Sequence, residues 1–286
     1  MRYTTLISAA ELAQHVLEPD WIVLDCRHDL ADPAAGRLGY DAGHIPNAQF
    51  ANLDTDLSDK TADPGGVFRG RHPLLDRDAF IETLRIWGVN RTSQVVAYDA
   101  QGGMFAARLW WMLRWTGHVA VAVLDGGLPA WMAEGMWLST EPGAKVRGDI
   151  TLQASLVSTV SAEDIVRNLS SATADVVDAR APDRYRGENE TLDPVGGHIP
   201  GARNRFFKDN LQADGCFKPA AQLRAEFESV VRNPGNTIMQ CGSGVTACHN
   251  LLAMEIAGLP GAALYPGSWS EWCADPSRPV ATGEEP

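Results

Sequence analysis

The sequence predicts an α/β fold made of two tandem copies, each a mainly parallel central sheet flanked by helices, and three observations predict it. Landmarks in the first half return in the second in the same order. Each half alternates short β-rich runs with helix-patterned segments, the signature of strand–helix–strand units. The chain of 286 residues, 45% of them hydrophobic, exceeds the usual size of one domain and can bury two cores.

The elements follow in order. Ile7-Ser-Ala-Ala-Glu-Leu12 opens a helix with Ser followed three residues later by an acid, a capping-box pattern, and returns as Val160-Ser-Ala-Glu-Asp-Ile165. Val23-Leu-Asp-Cys-Arg27, a strand ending in Asp-x-Arg, returns as Val176-Val-Asp-Ala-Arg180. Gly43-His-Ile-Pro-Asn-Ala48 returns as Gly197-His-Ile-Pro-Gly-Ala202, where His44 and His198 read as turn residues that bond their own loops. The spacing between copies then shortens, because the first half carries an insertion around residues 56 to 72. The strand Gln94-Val-Val-Ala-Tyr98 matches Thr237-Ile-Met-Gln240, and Leu124-Asp-Gly-Gly-Leu-Pro-Ala-Trp131 matches Tyr265-Pro-Gly-Ser-Trp-Ser-Glu-Trp272. The reading gives a first domain at 1–140, a polar linker at 141–157 and a second domain at 158–286.

A net charge of −12 argues against nucleic acid and anionic membrane as partners, and leaves a small anion bound through local arginines. Glu11 interrupts any signal-peptide core, and no later run is apolar enough to span a bilayer, so a cytoplasmic location is expected. Five cysteines, at 26, 216, 241, 248 and 273, form no CxxC pair, which suits reduced thiols and implies neither a zinc site nor another metal or cofactor.

Cys241-Gly-Ser-Gly-Val-Thr-Ala-Cys248 joins the apolar strand ending at Gln240 to the helix-patterned His249–Ala257. A helix start leaves backbone N–H groups without partners, and glycines let a loop curl them onto one point, so an anion there is stabilised. A cysteine in that position is expected as thiolate, the nucleophilic form, whereas an isolated buried cysteine is a small hydrophobe. A cysteine phosphatase is excluded because it needs an arginine six residues on, where this chain has Ala247. Disulfide exchange would need Cys248, about 10 Å along the helix and out of bonding range. Cys248, Cys26, Cys216 and Cys273 are therefore assigned to packing. In the first half, Asp99 stands where Cys241 stands in the second, and reads as a helix cap.

The two GHIPxA elements, the strand–Cys-loop–helix and the closing YPGSWSEW together resemble the tandem-domain rhodanese sulfurtransferases over essentially the whole chain. The loop itself is similar to that of the 3-mercaptopyruvate branch, since thiosulfate-preferring members carry basic residues directly after the cysteine. The resemblance implies a sulfurtransferase that moves a sulfane sulfur from 3-mercaptopyruvate through a Cys241 persulfide to a thiol, thioredoxin or cyanide. A thiosulfate:cyanide enzyme and a persulfide carrier to a dedicated protein partner share these residues. An inert binding module leaves the Cys241 loop unexplained.

By the same resemblance the first half is inactive, lacking a nucleophile at Asp99, and supplies one wall of a cleft between domains. Asp54, His72 and Ser243 form a relay assisting proton transfer, and Gly242, Ser243, Gly244, Val245, Thr246 and Ala247 cradle the sulfur. Arg184 receives the donor carboxylate, with Arg186 second. The family pattern carries a further arginine where this chain reads Glu188-Asn-Glu-Thr-Leu-Asp-Pro194. Gly242 and Ser243 offer a second negative charge only dipoles, which favours a mono-carboxylate donor over thiosulfate.

Overall fold

The computed structural model describes residues 2–60, 66–143 and 146–285. They divide into two compact units. The first comprises Met1–Asp59, Leu75–Leu156 and Leu211–Phe217, and the second Lys60–Leu74, Val157–Asn210 and Lys218–Pro286. Of the insertion expected at 56–72, residues 61–65 lie outside the described part, as do 144 and 145 of the expected linker.

In the first unit the strands β1 (Leu6–Ile7), β2 (Trp21–Asp25), β3 (Gln49–Phe50), β4 (Gln94–Tyr98) and β5 (Val121–Leu124) form one parallel sheet in the order β1-β5-β4-β2-β3. Every residue of β4 is buried, as expected of a central strand covered on both faces. The helix Ala106–Trp115 that follows β4 buries Ala106 through Leu113 and brings Trp110 and Trp111 into the core.

In the second unit β6 (Asp175–Asp178), β7 (Arg203–Asn204), β8 (Thr237–Gln240) and β9 (Ala263–Leu264) form a parallel sheet in the order β7-β6-β8-β9. The edge place that β1 fills in the first unit shrinks here to a single parallel bridge between Thr159 and Leu264. Trp269 and Trp272 anchor the core against Ile165, Ile199 and Ile238.

The repeated motifs fold into repeated devices. Ser8 with Glu11 and Ser161 with Asp164 both close the capping box expected of them. The Asp25–Arg27 pair reaches the Gly43 carbonyl at 2.8 Å, and Asp178–Arg180 reaches that of Gly197 at 2.6 Å. His44 stacks on Tyr40 and bonds the carbonyls of Tyr40 and Glu141, while His198 stacks on Tyr185 and bonds those of Tyr185 and Glu285. Both histidines are thus buried ties between turn and chain, as the sequence suggests.

The stretch read as linker is pinned along the first unit. The amides of Gly148, Ile150, Gln153 and Leu156 donate to the carbonyls of Arg85, Val89, Thr116 and Arg114. Among the described residues no helix is long and apolar enough to cross a membrane.

Candidate active site

Cys241 follows the last residue of β8, and the helix Ala247–Ile256 starts six positions later. Its side chain is buried, and its backbone is held on both sides. The amide of Cys241 donates to Ser268 Oγ at 3.1 Å, while its carbonyl accepts from the Trp269 amide at 2.9 Å. The Gly242 carbonyl accepts from the Ser270 amide at 3.0 Å. Gly244 takes φ +74°, and a Cβ there would collide with the Pro266 carbonyl, so the bend tolerates glycine alone.

His72 lies in the Lys60–Leu74 stretch that belongs to the same compact unit, and its Nδ1 is 2.8 Å from Ser243 Oγ, with both residues buried. Val245, Thr246 and Ala247 carry the loop into the helix. Asp54 lies in the first unit, where its amide donates to Asn52 Oδ1 at 2.8 Å in a tight turn.

Arg184 stands beside the loop: a Cβ built on Gly242 would be 3.6 Å from its Nη2 and 3.8 Å from its Nη1. Arg186 does not. It forks onto Glu188 at 2.9 and 2.7 Å, on the exposed side of its short helix.

Five further groups to which sequence reasoning gave no place in the site, Arg71, Asp193, Glu190, Arg180 and Asp178, complete with Arg184 an alternating row of charges. Arg71 pairs with Asp193, and Asp193 lies 3.6 Å from Arg184. Arg184 binds Glu190 at 2.8 Å, Glu190 lies 3.4 Å from Arg180, and Arg180 binds Asp178 at 2.6 Å. The three carboxylates are almost fully buried. Burial pulls Arg180 downward, but Asp178, Glu190 and, more weakly, Cys241 outweigh it and hold the guanidinium above its ordinary value. Burial likewise pushes Glu190 up, and is outweighed by the Leu192 amide and Arg184, which bring it below the usual carboxylate range. Charge beside Gly242 is therefore not limited to backbone dipoles, as the loop sequence alone had suggested. The signal lay in Asp178-x-Arg180, read only as a strand end, and in Arg71, the neighbour of His72.

The other cysteines are not arranged for chemistry. Cys248 is buried with its Sγ 3.4 Å from the Gly244 carbonyl, and Cys26 and Cys273 are buried. Burial, with Asp125 and Asp214, pushes the Cys216 thiol up to about 11.

In the first unit the equivalent loop shows what its geometry holds. Asp99 is fully buried, and its Oδ1 accepts the amides of Gln101 and Gly103 at 2.8 and 2.9 Å. Its Oδ2 accepts those of Phe105 and Ala106 at 2.8 and 3.0 Å. Asp99 caps the helix as expected, with both carboxyl oxygens in a ring of four amides.

The profile of the rhodanese-like domain matches residues 8–134 and 161–275. The chain belongs to the rhodanese-like domain family. Across this rhodanese pair, identity is 46% with a probable 3-mercaptopyruvate sulfurtransferase of Pseudomonas aeruginosa, covering 99% of this chain and 100% of that protein. It is 36% with the thiosulfate sulfurtransferase of Bos taurus, covering 99% and 97%. The crystal structure of SseA from Escherichia coli, titled as a 3-mercaptopyruvate sulfotransferase, superposes with a TM-score of 0.80 at 31% identity, over 94% of this chain and 100% of that one. The rhodanese pair described here is a sulfurtransferase, which uses a sulfur donor and a sulfur acceptor.

Proposed function

We propose that this sulfurtransferase takes the thiol sulfur of 3-mercaptopyruvate onto Cys241, where it becomes the sulfane sulfur of a persulfide, and hands it to a small thiol, thioredoxin or cyanide in the cytoplasm. One observation carries the reading: the Asp99 loop holds its two carboxylate oxygens on four amides. Each of those oxygens is the third atom out from Cα. The outer sulfur of a cysteine persulfide is also the third atom out from Cα. A loop of the same design with cysteine at its mouth thus suits an outer sulfur anion at that reach.

In the first half-reaction the Cys241 thiolate attacks the thiol sulfur of the donor. The S–S bond forms as the C–S bond breaks, the electron pair leaves on carbon as pyruvate enolate, and protonation gives pyruvate. The His72–Ser243 pair stands beside the nucleophile and is the proton carrier, with Asp54 in the orienting role. Arg184 receives the donor carboxylate. In the second half-reaction the acceptor attacks the outer sulfur and releases the Cys241 thiolate.

On this reading residues 1–140 form the half without a nucleophile and 158–286 the catalytic half, joined by 141–157, with His72 contributed from the earlier sequence. The guanidiniums of Arg71 and Arg184 beside Gly242 also support thiosulfate, a dianion, as a second donor. Intact mass after incubation with each donor checks the proposal. A gain of one sulfur is expected in the wild-type protein and none in Cys241→Ser. A gain that survives the substitution moves the persulfide to another cysteine, and no gain from either donor removes the reading.

A further inference from the structure

The first unit carries a cavity at the end of its sheet opposite the Asp99 loop. All strands of that sheet are parallel, so Asp99 stands beyond the C-terminal end of β4 while the cavity lies at the N-terminal ends of β4 and β5. The five residues of β4 alone put about 16 Å between the two ends. The cavity measures about 170 Å³, roughly ten times what one water needs, and opens to solvent. Its lining includes Arg2, Arg91, His118, Val119, Ala120 and Thr151, all of them in the first unit.

Its chemistry runs against that of the chain. With 36 acidic and 24 basic residues the protein commits its cations to acids: in the first unit Arg27 pairs with Asp25, Arg37 with Asp41, and both Arg85 and Arg147 with Glu82. The side chains of Arg2 and Arg91 have no hydrogen bond or ion pair among the described residues, and no acidic side chain among those residues lines the cavity. Asp149, one residue before the wall at Ile150, accepts the Arg91 amide at 3.2 Å. The amides of Val119, Ala120 and Thr151 also make no hydrogen bond within the described residues. Ala120 is buried, so an unsatisfied N–H there costs free energy that a bound acceptor would recover. His118, buried as well, donates to the Ser93 carbonyl at 3.0 Å, and burial pulls its pKa down, so its ring is a neutral wall.

The wall formed by the stretch read as linker is held in place. The amides of Ile150 and Gln153 donate to the Val89 and Thr116 carbonyls, and Arg85 Nε donates to the Ile150 carbonyl at 2.9 Å, which fixes Thr151 between them. We propose that this cavity is a binding site for a small, doubly charged tetrahedral oxyanion, the group shared by inorganic phosphate, sulfate and a phosphomonoester, with Arg2 and Arg91 as charged ligands and the Ala120 and Thr151 amides as neutral ones. Two guanidiniums match the charge of a dianion, and their planar forks suit pairs of its oxygens. A monoanion leaves one of the two without a partner, so the site selects for double charge. It belongs wholly to the first unit and does not depend on the reading of Cys241.

Titration calorimetry on the full chain, at pH 8 and fixed ionic strength, measures the binding of inorganic phosphate, sulfate, glycerol 3-phosphate and, as a monoanion, nitrate. The wild-type protein should bind the three dianions, and nitrate at least about 10-fold more weakly. The double variant Arg2→Gln/Arg91→Gln should weaken the dianions by at least about 10-fold, the worth of one charge-assisted hydrogen bond, with sulfur transfer unchanged. Hydrogen exchange over residues 118–120 and 150–152 should slow when phosphate is added to the wild type and not when it is added to the double variant. Tighter binding of glycerol 3-phosphate than of phosphate assigns the site to a phosphomonoester, equal binding assigns it to the free anion, and both support the site. Arg184→Gln separates it from the cations beside Gly242: dianion binding that disappears in Arg184→Gln and survives in the double variant places the anion at the Cys241 loop and overturns the proposal. Failure of all three dianions to bind overturns it as well.

Discussion

The loop at Asp99 and the loop at Cys241 follow equivalent central strands and open equivalent helices, yet one is occupied by a carboxylate side chain and the other begins with a cysteine. Seven positions separate Asp99 from the helix start at Ala106, and six separate Cys241 from Ala247. In the first loop four amides converge on a resident carboxylate, so the anion-binding capacity of the fold is spent internally and stabilises the unit. In the second the side chain ends at sulfur, His72 bonds Ser243, and Arg71 and Arg184 stand beside Gly242. Duplication gave two such loops. The residue at the mouth of each, Asp99 or Cys241, is the difference on which the proposed chemistry rests.

The largest effect should come from exchanging those two residues. Cys241→Ser is expected to abolish transfer while leaving the melting temperature close to that of wild type, because a hydroxyl fits the space but cannot carry sulfane sulfur. Asp99→Cys should gain no activity in a Cys241→Ser background. Its loop is one residue longer, and Gln101 stands at the place of Ser243. Measurable turnover in that double variant would show that the cradle alone, without the His72–Ser243 pair, is enough.

A smaller loss is expected from that pair. Ser243→Ala or His72→Asn removes the proposed proton carrier and should lower kcat for 3-mercaptopyruvate about 100-fold, the lower range for general acid–base catalysis. The single-turnover rate of persulfide formation is the measurement. An unaltered rate would leave the buried 2.8 Å contact a purely structural one.

On the first unit the equivalent insult should strike stability and not turnover. Asp99→Ala leaves the amides of Gln101, Gly103, Phe105 and Ala106 in a buried turn without their charged acceptor, at a cost of about 2–3 kcal/mol. Urea unfolding is the check, with Asp99→Asn expected between the two. If Asp99→Ala unfolds at the wild-type midpoint, the carboxylate is not what orders the first loop.

The contrast explains what could be read from the sequence. The duplication, the strand–loop–helix around Cys241 and the partnership of loop and helix start are short-range patterns, carried by residues adjacent in the chain. His44 and His198 were legible as structural residues of their repeated turns, but not their partners, since Glu141 and Glu285 lie far along the chain. The charge row was not, because its members come from distant positions: Arg71 and Asp193 are 122 residues apart. Arg186 looked as eligible as Arg184 in sequence, and only the direction of a one-turn helix separates them, one toward Glu190 and the loop, the other toward Glu188. The pinning of residues 148–156 was hidden for a similar reason, since their bonds are made by backbone atoms that composition does not report.

The smallest effect concerns acid stability and separates the two units by a carboxylate of the second. Glu226 receives Arg205 at 2.6 Å and Lys218 at 3.0 Å, fastening the chain where it re-enters that unit after Phe217. Partial burial pushes its carboxyl up, and hydrogen bonds from Arg205, Lys218 and Gln222 outweigh this, bringing it to about 2. A carboxyl depressed in the folded state contributes stability that is present above its unfolded pKa and is lost as pH falls toward the folded one, here between about pH 4.5 and pH 2. With a quarter of the side chain exposed, solvent screening reduces the contribution to about 1 kcal/mol. Glu226→Gln should therefore cost roughly that much at neutral pH, and its unfolding midpoint should converge on the wild-type one as the pH is lowered through this window. Two urea curves that stay parallel from pH 7 to pH 3 would place the acid-sensitive tie elsewhere in the molecule.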